Sequence, residues 1–347
     1  MLTTATLERI LARVPALTVG VVGDLFLDRY LDLDAALTEP SIETGLDAYQ
    51  VVRVRSQPGA AGTVISNLIA LGVKQVRPVA VIGDDGEGHE LRQALAALGA
   101  VDPGGVLSWP GRRTPTYTKP MLCEAGRPPR ELNRLDIKNR TPLPADAEER
   151  VLTLLYETWP RVDALLVLDQ VSEPECGVIT TRVRGRLAEL AEADPGKFVL
   201  ADSRERVWQF RNVHAKPNAD ELLERRRIPN VADGPGAIDD RGKTLARQAR
   251  RPVFCTRGAG GITLFRPDGS SAVVPAYPVS GPIDPVGAGD STGAAIACAV
   301  AAGALPEEAA AFGNLVASIT VQQIGTTGTA TPGQVRQRWR EVGAGGR

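Results

Sequence analysis

Histidine is almost absent: His89 and His214 are the two in 347 residues, which argues against a histidine-based metal centre or a Ser-His-Asp mechanism. Cysteine is scarce as well. Cys123, Cys176, Cys255 and Cys298 lie far apart with no C-x-x-C spacing, so neither a zinc site nor a disulfide framework is suggested. No apolar run approaches the roughly 20 residues that span a bilayer. The stretch Met1 to Val14 reads as an amphipathic helix, with Leu7, Ile10, Leu11 and Val14 on one side. It lacks the cationic start and long apolar run of a signal peptide, so a cytoplasmic location is expected. Net charge is also missing. A value of −1 argues against nucleic acid or an anionic membrane as the main partner, although a local basic pocket remains open. Two nucleotide-binding signatures are absent too. There is no G-x-x-x-x-G-K-[ST], and Gly23-Asp24-Leu25-Phe26-Leu27-Asp28 lacks the G-x-G-x-x-G that a Rossmann dehydrogenase needs after its first strand.

What remains is the composition of an ordinary globular enzyme, 43% hydrophobic and 23% charged, long enough to bury a sizeable core. Short apolar runs at Leu17–Gly23, Val76–Ile82, Ala164–Leu168, Phe198–Ala201 and Val253–Thr256 read as buried parallel strands. Helical patterns separate them at Thr63–Leu71, Glu90–Leu98, Ala145–Trp159, Thr181–Ala193 and Ala237–Arg250. The alternation predicts an α/β fold with a mostly parallel central sheet covered on both faces, and ligands outside the carboxyl ends of the strands. Asp24, Asp28, Gly83, Asp84, Asp169, Asp202 and Gly258 fall at those ends. Two segments break the rhythm. Tyr30–Gln57 and Thr114–Leu135 have no helical period and alternate in part like exposed strands, so one domain over residues 1–347 with a β lid at about 30–57 and 114–135 is expected. The competing reading is two long surface loops.

The chemistry is concentrated in Asp284-Pro285-Val286-Gly287-Ala288-Gly289-Asp290, followed by an Ala-rich helical run. Small residues opening a helix leave free N–H groups backed by the positive end of the helix dipole, which is a site for an anion. An aspartate in such a turn can accept a proton from an attacking hydroxyl. The bland reading is a glycine-rich turn with a capping aspartate. Gln57-Pro58-Gly59-Ala60-Ala61-Gly62 also allows close ligand approach, or a tight helix–sheet contact. Asn218 and Glu221, three apart on an opening helical turn, could organise Mg²⁺-bound water and phosphate, or form a capping box. Thr256-Arg257-Gly258-Ala259-Gly260-Gly261 is a turn between strands, either a hairpin or a nucleotide-phosphate loop.

In this order, these segments resemble the ribokinase-like (PfkB-type) family of carbohydrate kinases from about Thr18 to Thr329. The turn before Asp290 is similar to the family's D-T-x-G-A-G-D with proline for threonine. Within the family, Val22–Tyr30, Thr114–Lys119 and Asn133–Asp136 look most like kinases of heptose 7-phosphate. The resemblance implies a three-layer α/β/α ribokinase-like fold with a β lid, ATP as donor, Mg²⁺ as cofactor, and a monovalent cation as a further candidate. It implies Asp290 as catalytic base with Gly287, Ala288 and Gly289 as anion hole. Asp28, Gly59, Asn67, Lys119 and Arg134 are implied for the acceptor. Thr256, Gly258, Gly260 and Asn314 are implied for the nucleotide, with Asn218 and Glu221 on the metal through water. A plain helix-surface asparagine is the alternative for Asn314. The expected partners are ATP and a sugar or sugar phosphate, and lid strands in this family often pair across a homodimer. The nucleotidyl-transfer domain that some heptose kinases carry is not expected. Ala60 and Thr63 depart from the family's Gly-Gly and following Asn, and Gln170-Val171-Ser172-Glu173 departs from its aromatic and lysine after Asp169. All three lie on the acceptor side. Arg53, Arg55, Lys119 and Arg134 favour a phosphorylated acceptor, unless they serve to keep lid edges from pairing. A silent sugar-binding regulator on the same fold and a nucleoside kinase are the alternatives.

Overall fold

Successive residues of the central strands serve two separate cores. Ala164, Leu166 and Leu168 join one apolar cluster while Leu165 and Val167 join another, the pattern of a strand covered on both faces. The computed structural model describes residues 2–225 and 236–344. In chain order the elements are α1 (Thr4–Arg13), β1 (Thr18–Gly23), β2 (Leu25–Pro40), β3 (Asp47–Ala60), α2 (Ala61–Leu71), β4 (Gln75–Gly83), α3 (Gly86–Ala97), β5 (Val106–Trp109), β6 (Thr116–Cys123), β7 (Arg130–Glu131), β8 (Leu135–Ile137) and α4 (Ala145–Thr158). Then follow β9 (Ala164–Asp169), α5 (Thr181–Ala193), β10 (Phe198–Ser203), β11 (His214–Ala215), α6 (Ala219–Leu222), α7 (Ala237–Ala249), β12 (Val253–Thr256), β13 (Ile262–Phe265), β14 (Ser271–Val274), α8 (Ala288–Ala301), α9 (Pro306–Thr320) and α10 (Pro332–Ala344).

The main sheet has the order β14-β13-β12-β11-β10-β9-β1-β4-β5. It is parallel from β5 to β12, and β13 and β14 add antiparallel at one edge. Helices α1, α2, α3, α8, α9 and α10 pack on one face, and α4 and α5 on the other. This is the expected three-layer fold. Among the described residues no helix is long and apolar enough to cross a membrane.

A second sheet, β3-β2-β6-β7 with β8 on β6, forms the lid. It starts earlier than the sequence pattern indicates, at Leu25 instead of Tyr30, because a single residue, Asp24, separates β1 from β2. Its second part runs on to Ile137. The surface-loop alternative is therefore replaced by paired strands: β2 is antiparallel to β3 and parallel to β6. Asp24 joins the two sheets. Its buried carboxylate accepts from the backbone N–H of Gln170 (2.8 Å), Val171 (3.0 Å) and Val178 (2.7 Å), while burial and then Asp169 push its pKa up to about 6. Asp85 anchors the second lid segment, capping α3 through Gly88 N–H (2.8 Å) and accepting from Thr114 N–H (2.9 Å) and hydroxyl (2.7 Å).

Candidate active site

The loops after β1, β10, β11 and β12 and the start of α8 converge at the carboxyl end of the sheet. Gly287 caps α8 with φ +78°, a left-handed conformation that an L side chain rarely adopts. A β-carbon there would also lie 3.3 Å from Thr327 Cβ. The turn is fastened by Asp284, which accepts from Val286 N–H and Gly325 N–H, each at 3.0 Å. Of the two carboxylates flanking the turn, Asp284 is thus structural, and Asp290 stands in the first turn of α8.

Asp290 has company that sequence reasoning did not single out. Lys216, 3% exposed, forms an ion pair with Asp202 at 2.8 Å. Its Nζ lies 3.4 Å from the position a β-carbon on Gly289 would take, so a cation sits against the opening of the helix. Burial alone would lower the Lys216 pKa, but Asp202, Glu221 and Asp290 together raise it, and the ammonium stays charged. Asp290 is pushed up to about 7, first by burial and then by Asp202, against the pull of Lys216 and Arg204. Of the expected anion hole, Ala288 N–H donates to Pro285 O at 3.1 Å, which leaves Gly287 and Gly289 as its candidate donors. A carboxyl near neutrality, beside a cation at the start of a helix, suits a general base for a hydroxyl that attacks a phosphate. Lys216 and Asp202 left little trace in the sequence. Lys216 follows a two-residue strand, too short to show a period, and Asp202 was one of several acids at strand ends.

Asn218 and Glu221 form the capping box: Asn218 Oδ1 accepts from Glu221 N–H and Glu221 Oε2 accepts from Asn218 N–H, both at 2.9 Å. The same Glu221 carboxyl is drawn upward in pKa, by burial and then by Asp202. Among the described residues no group of three or more His, Cys, Asp and Glu is arranged to hold a metal directly. Thr256 N–H donates to Pro217 O at 2.9 Å, which brings the β12 turn alongside Asn218. Gly258 and Gly260 form the short helical turn leading into β13, so this segment is a hairpin. Asn314 is not on the helix surface. It is 7% exposed, and its Nδ2 donates to the carbonyls of Val274 and Pro275 at 3.0 Å each.

At the lid end, Asp28 and Lys119 pair at 3.3 Å, and Lys119 Nζ also donates to the Tyr30 hydroxyl at 3.1 Å. Burial opposes the Lys119 charge, but Asp28 and Tyr30 hold its pKa above the ordinary value. A β-carbon on Gly59 would lie 2.9 Å from Asp28 Cγ, so Asp28, Gly59 and Lys119 share one cradle. Asn67 is 1% exposed within α2; its Nδ2 donates to Thr63 O at 2.9 Å, and its buried Oδ1 has no hydrogen-bond partner among the described residues. The expectation for the lid arginines changes. Arg134 is closed on Asp136 by two bonds (2.6 and 2.9 Å) and lies 4.0 Å over the Tyr117 ring. Arg55 is likewise closed on Asp32 (2.8 and 3.1 Å), and Arg53 is exposed. The cluster that favoured a phosphorylated acceptor is therefore largely neutralised. Arg204, which sequence reasoning did not consider, donates from Nε to Gln170 Oε1 at 2.7 Å and attracts Asp290, Glu221 and Tyr117 electrostatically.

A mostly parallel three-layer sheet with a β lid and an acid at a glycine-rich helix start has the architecture of the ribokinase-like fold. Residues 213–332 match the pfkB family carbohydrate kinase model. A bifunctional protein HldE of Pelobacter propionicus is 30% identical over 337 residues, covering 95% of this chain and 64% of that protein. The bifunctional protein HldE of Trichlorobacter lovleyi is 29% identical over 329 residues, with 94% and 64% covered. The chain thus spans slightly less than two thirds of these relatives. Arabidopsis thaliana ribokinase complexed with ribose and ATP superposes with a TM-score of 0.65 at 18% identity, covering 93% of this chain and 98% of that one. Phosphofructokinase-2 from Escherichia coli, complexed with potassium, gives 0.68 at 17% identity, with 94% and 99% covered. Over residues 213–332 the chain is similar to pfkB family carbohydrate kinases, and over nearly its whole length it is similar to the HldE proteins.

Proposed function

We propose that this chain transfers the terminal phosphoryl group of ATP to a hydroxyl of a sugar or sugar phosphate, with Asp290 as general base. The observation that carries this reading is the placement of Asp290 in the first turn of α8, beside Lys216, with its pKa raised to about 7. The acceptor lies in the cradle of Asp28, Gly59 and Lys119 under the lid, which excludes water while the phosphate is exposed to attack. The N–H groups of Gly287 and Gly289 and the Lys216 ammonium receive the negative charge of the transferring group. The donor's base end is held between the Thr256–Gly260 turn and Asn314.

The residues fit a magnesium ion held through water. Asp202 raises the proton affinity of both Glu221 and Asp290, and all three acids raise that of Lys216, a sign of carboxylates in excess over local cations. Asn218 and Glu221 would hold the ion through its water ligands, and bound Mg²⁺ offsets charge on the phosphate oxygens. A heptose 7-phosphate-like compound is the first acceptor to test, on the strength of the motif resemblance. The exposed Tyr49, Val51, Val52 and Val54 on β3, an edge of the lid sheet, support pairing of two lids in a homodimer.

The test is ADP release from ATP against a panel of free and phosphorylated sugars. One or more acceptors should stimulate it, and Asp290→Asn should lower kcat roughly 10²–10⁴-fold with nucleotide affinity little changed. Because the base must be ionised, wild-type kcat should fall as pH drops through about 7. A panel without any stimulation, with sugars still binding, would favour the silent regulator.

A further inference from the structure

We infer that Gln57 and Thr327 are positioning residues that couple the acceptor cradle to the anion-binding turn; this rests on the phosphoryl-transfer reading above. Gln57 stands opposite Asp28 in the β2–β3 pairing. Its Nε2 donates in two directions, to the Tyr30 hydroxyl at 3.4 Å and to Thr327 Oγ1 at 3.3 Å. Tyr30 in turn accepts from Lys119, whose Nζ is also paired with Asp28. On the other side, Thr327 Cβ and Cγ2 lie 3.3 and 3.4 Å from the position a β-carbon on Gly287 would occupy. A continuous path of contacts therefore runs Asp28–Lys119–Tyr30–Gln57–Thr327–Gly287, from the lid to the turn that opens α8.

The loop carrying Thr327 is already tied to the same turn. Asp284 N–H donates to Val321 O at 2.7 Å, and Asp284 Oδ2 accepts from Gly325 N–H at 3.0 Å. Gln323 clamps Thr329 from within the loop, accepting from its N–H at 3.1 Å and donating to its carbonyl at 2.6 Å. The loop and turn thus form one braced unit, and Gln57 is a lid side chain that reaches it. An acceptor hydroxyl that engages Asp28 competes with Lys119 for the carboxylate. Any shift of Lys119 is felt at Tyr30 and passes through the Gln57 amide to the threonine behind Gly287. The path gives the anion-binding turn a means of registering that the acceptor is in place.

The links are single hydrogen bonds between partly exposed groups, so each should be worth a modest factor in rate. The experiment measures kcat and acceptor KM for wild type, Gln57→Leu, Thr327→Val, Thr327→Ser and the double variant Gln57→Leu/Thr327→Val. Thr327→Val keeps the branch behind Gly287 and removes the hydroxyl. Gln57→Leu and Thr327→Val should each lower kcat roughly 3- to 10-fold, with acceptor KM within about twofold of wild type. Thr327→Ser should keep the wild-type rate, and the double variant should be no slower than either single one, as expected for two ends of one interaction. If Gln57→Leu loses thermal stability, Gln57→Asn replaces it, because it keeps the amide and shortens its reach. Wild-type kcat in both single variants, or a double variant that loses the product of the two factors, overturns the coupling and leaves the kinase reading intact. A wild-type chain with no acceptor-dependent turnover overturns both.

Discussion

Ala60 sits at φ +54°, ψ −117° as the residue preceding α2, a region that glycine enters freely and alanine does not. The strain of such a residue is about 1–3 kcal/mol. Against it stands the methyl group, packed near Phe26, Val171 and Cys176 and worth about 0.8 kcal/mol. Strain outweighs packing. Ala60→Gly should therefore stabilise the fold by about 1 kcal/mol, read as a higher urea midpoint with unchanged slope. A lower midpoint would mean that the methyl contact dominates. The unusual backbone is what the family's second glycine would accommodate, so the departure was legible in sequence while its conformation was not. Asp290 was equally legible, from its place after Gly-Ala-Gly. Its perturbed proton affinity was not, because that depends on Asp202 and Lys216, distant in sequence and brought together by β10 and β11.

Among the elements, the four-residue helix α6 is the one whose two readings meet in the same atoms. Its capping box holds the helix start, and the same Glu221 carboxyl is repelled by Asp202 and attracted by Lys216 and Arg204. Glu221→Gln keeps an acceptor for Asn218 N–H but removes the charge. It should raise the Mg²⁺ concentration for half-maximal rate severalfold. The folded-state pKa of Glu221 is raised, so stability attached to this group is present at low pH and lost as pH rises through the folded pKa. At pH 8 the variant should then be at least as thermally stable as wild type. Unchanged Mg²⁺ dependence with a lower melting temperature would leave capping as its sole role. Elements with a long period were read well: α5 spans Thr181–Ala193 as its pattern indicates. The start of α8 at Ala288 was hidden because glycines and polar residues fill its first turn. Strands β5 and β11, four and two residues long, are too short for any periodicity to register.

For the whole molecule, the lid is the part whose sequence said least about its partners. Alternation in residues 48–55 marked an exposed strand, but apolar side chains on both faces of β3 left the covered face undefined. Val52 and Val54 are 56% and 53% exposed. If two lids pair, Val52→Asp should shift the chain from dimer to monomer in sedimentation at micromolar concentration. A wild-type chain already monomeric at about 50 µM, a concentration at which interfaces of ordinary size are populated, would end the dimer reading.

The attachment of the lid has a mechanical consequence. Both arms of the β2–β3 hairpin enter the core next to each other, at Asp24 and at Ala60–Ala61, and Ala61 N–H donates to Asp24 O at 3.0 Å. β6 braces β2 from Leu27 to Asp34, and Glu90 of α3 holds Arg29 and Ser56, so the hairpin is stiff near the core and pivots at Asp34. The strand beyond Asp34, Ala35 to Pro40, reaches about 20 Å at about 3.3 Å per residue, so a bend of about 5° there moves the tip by about 2 Å and leaves Asp28 in place. The acceptor cradle belongs to the stiff end of the lever and the exposed Leu37, Ile42 and Leu46 to its swinging end. Geometry at the cradle is thereby insulated from motion at the tip, and a contact made at the tip gains leverage over the pivot.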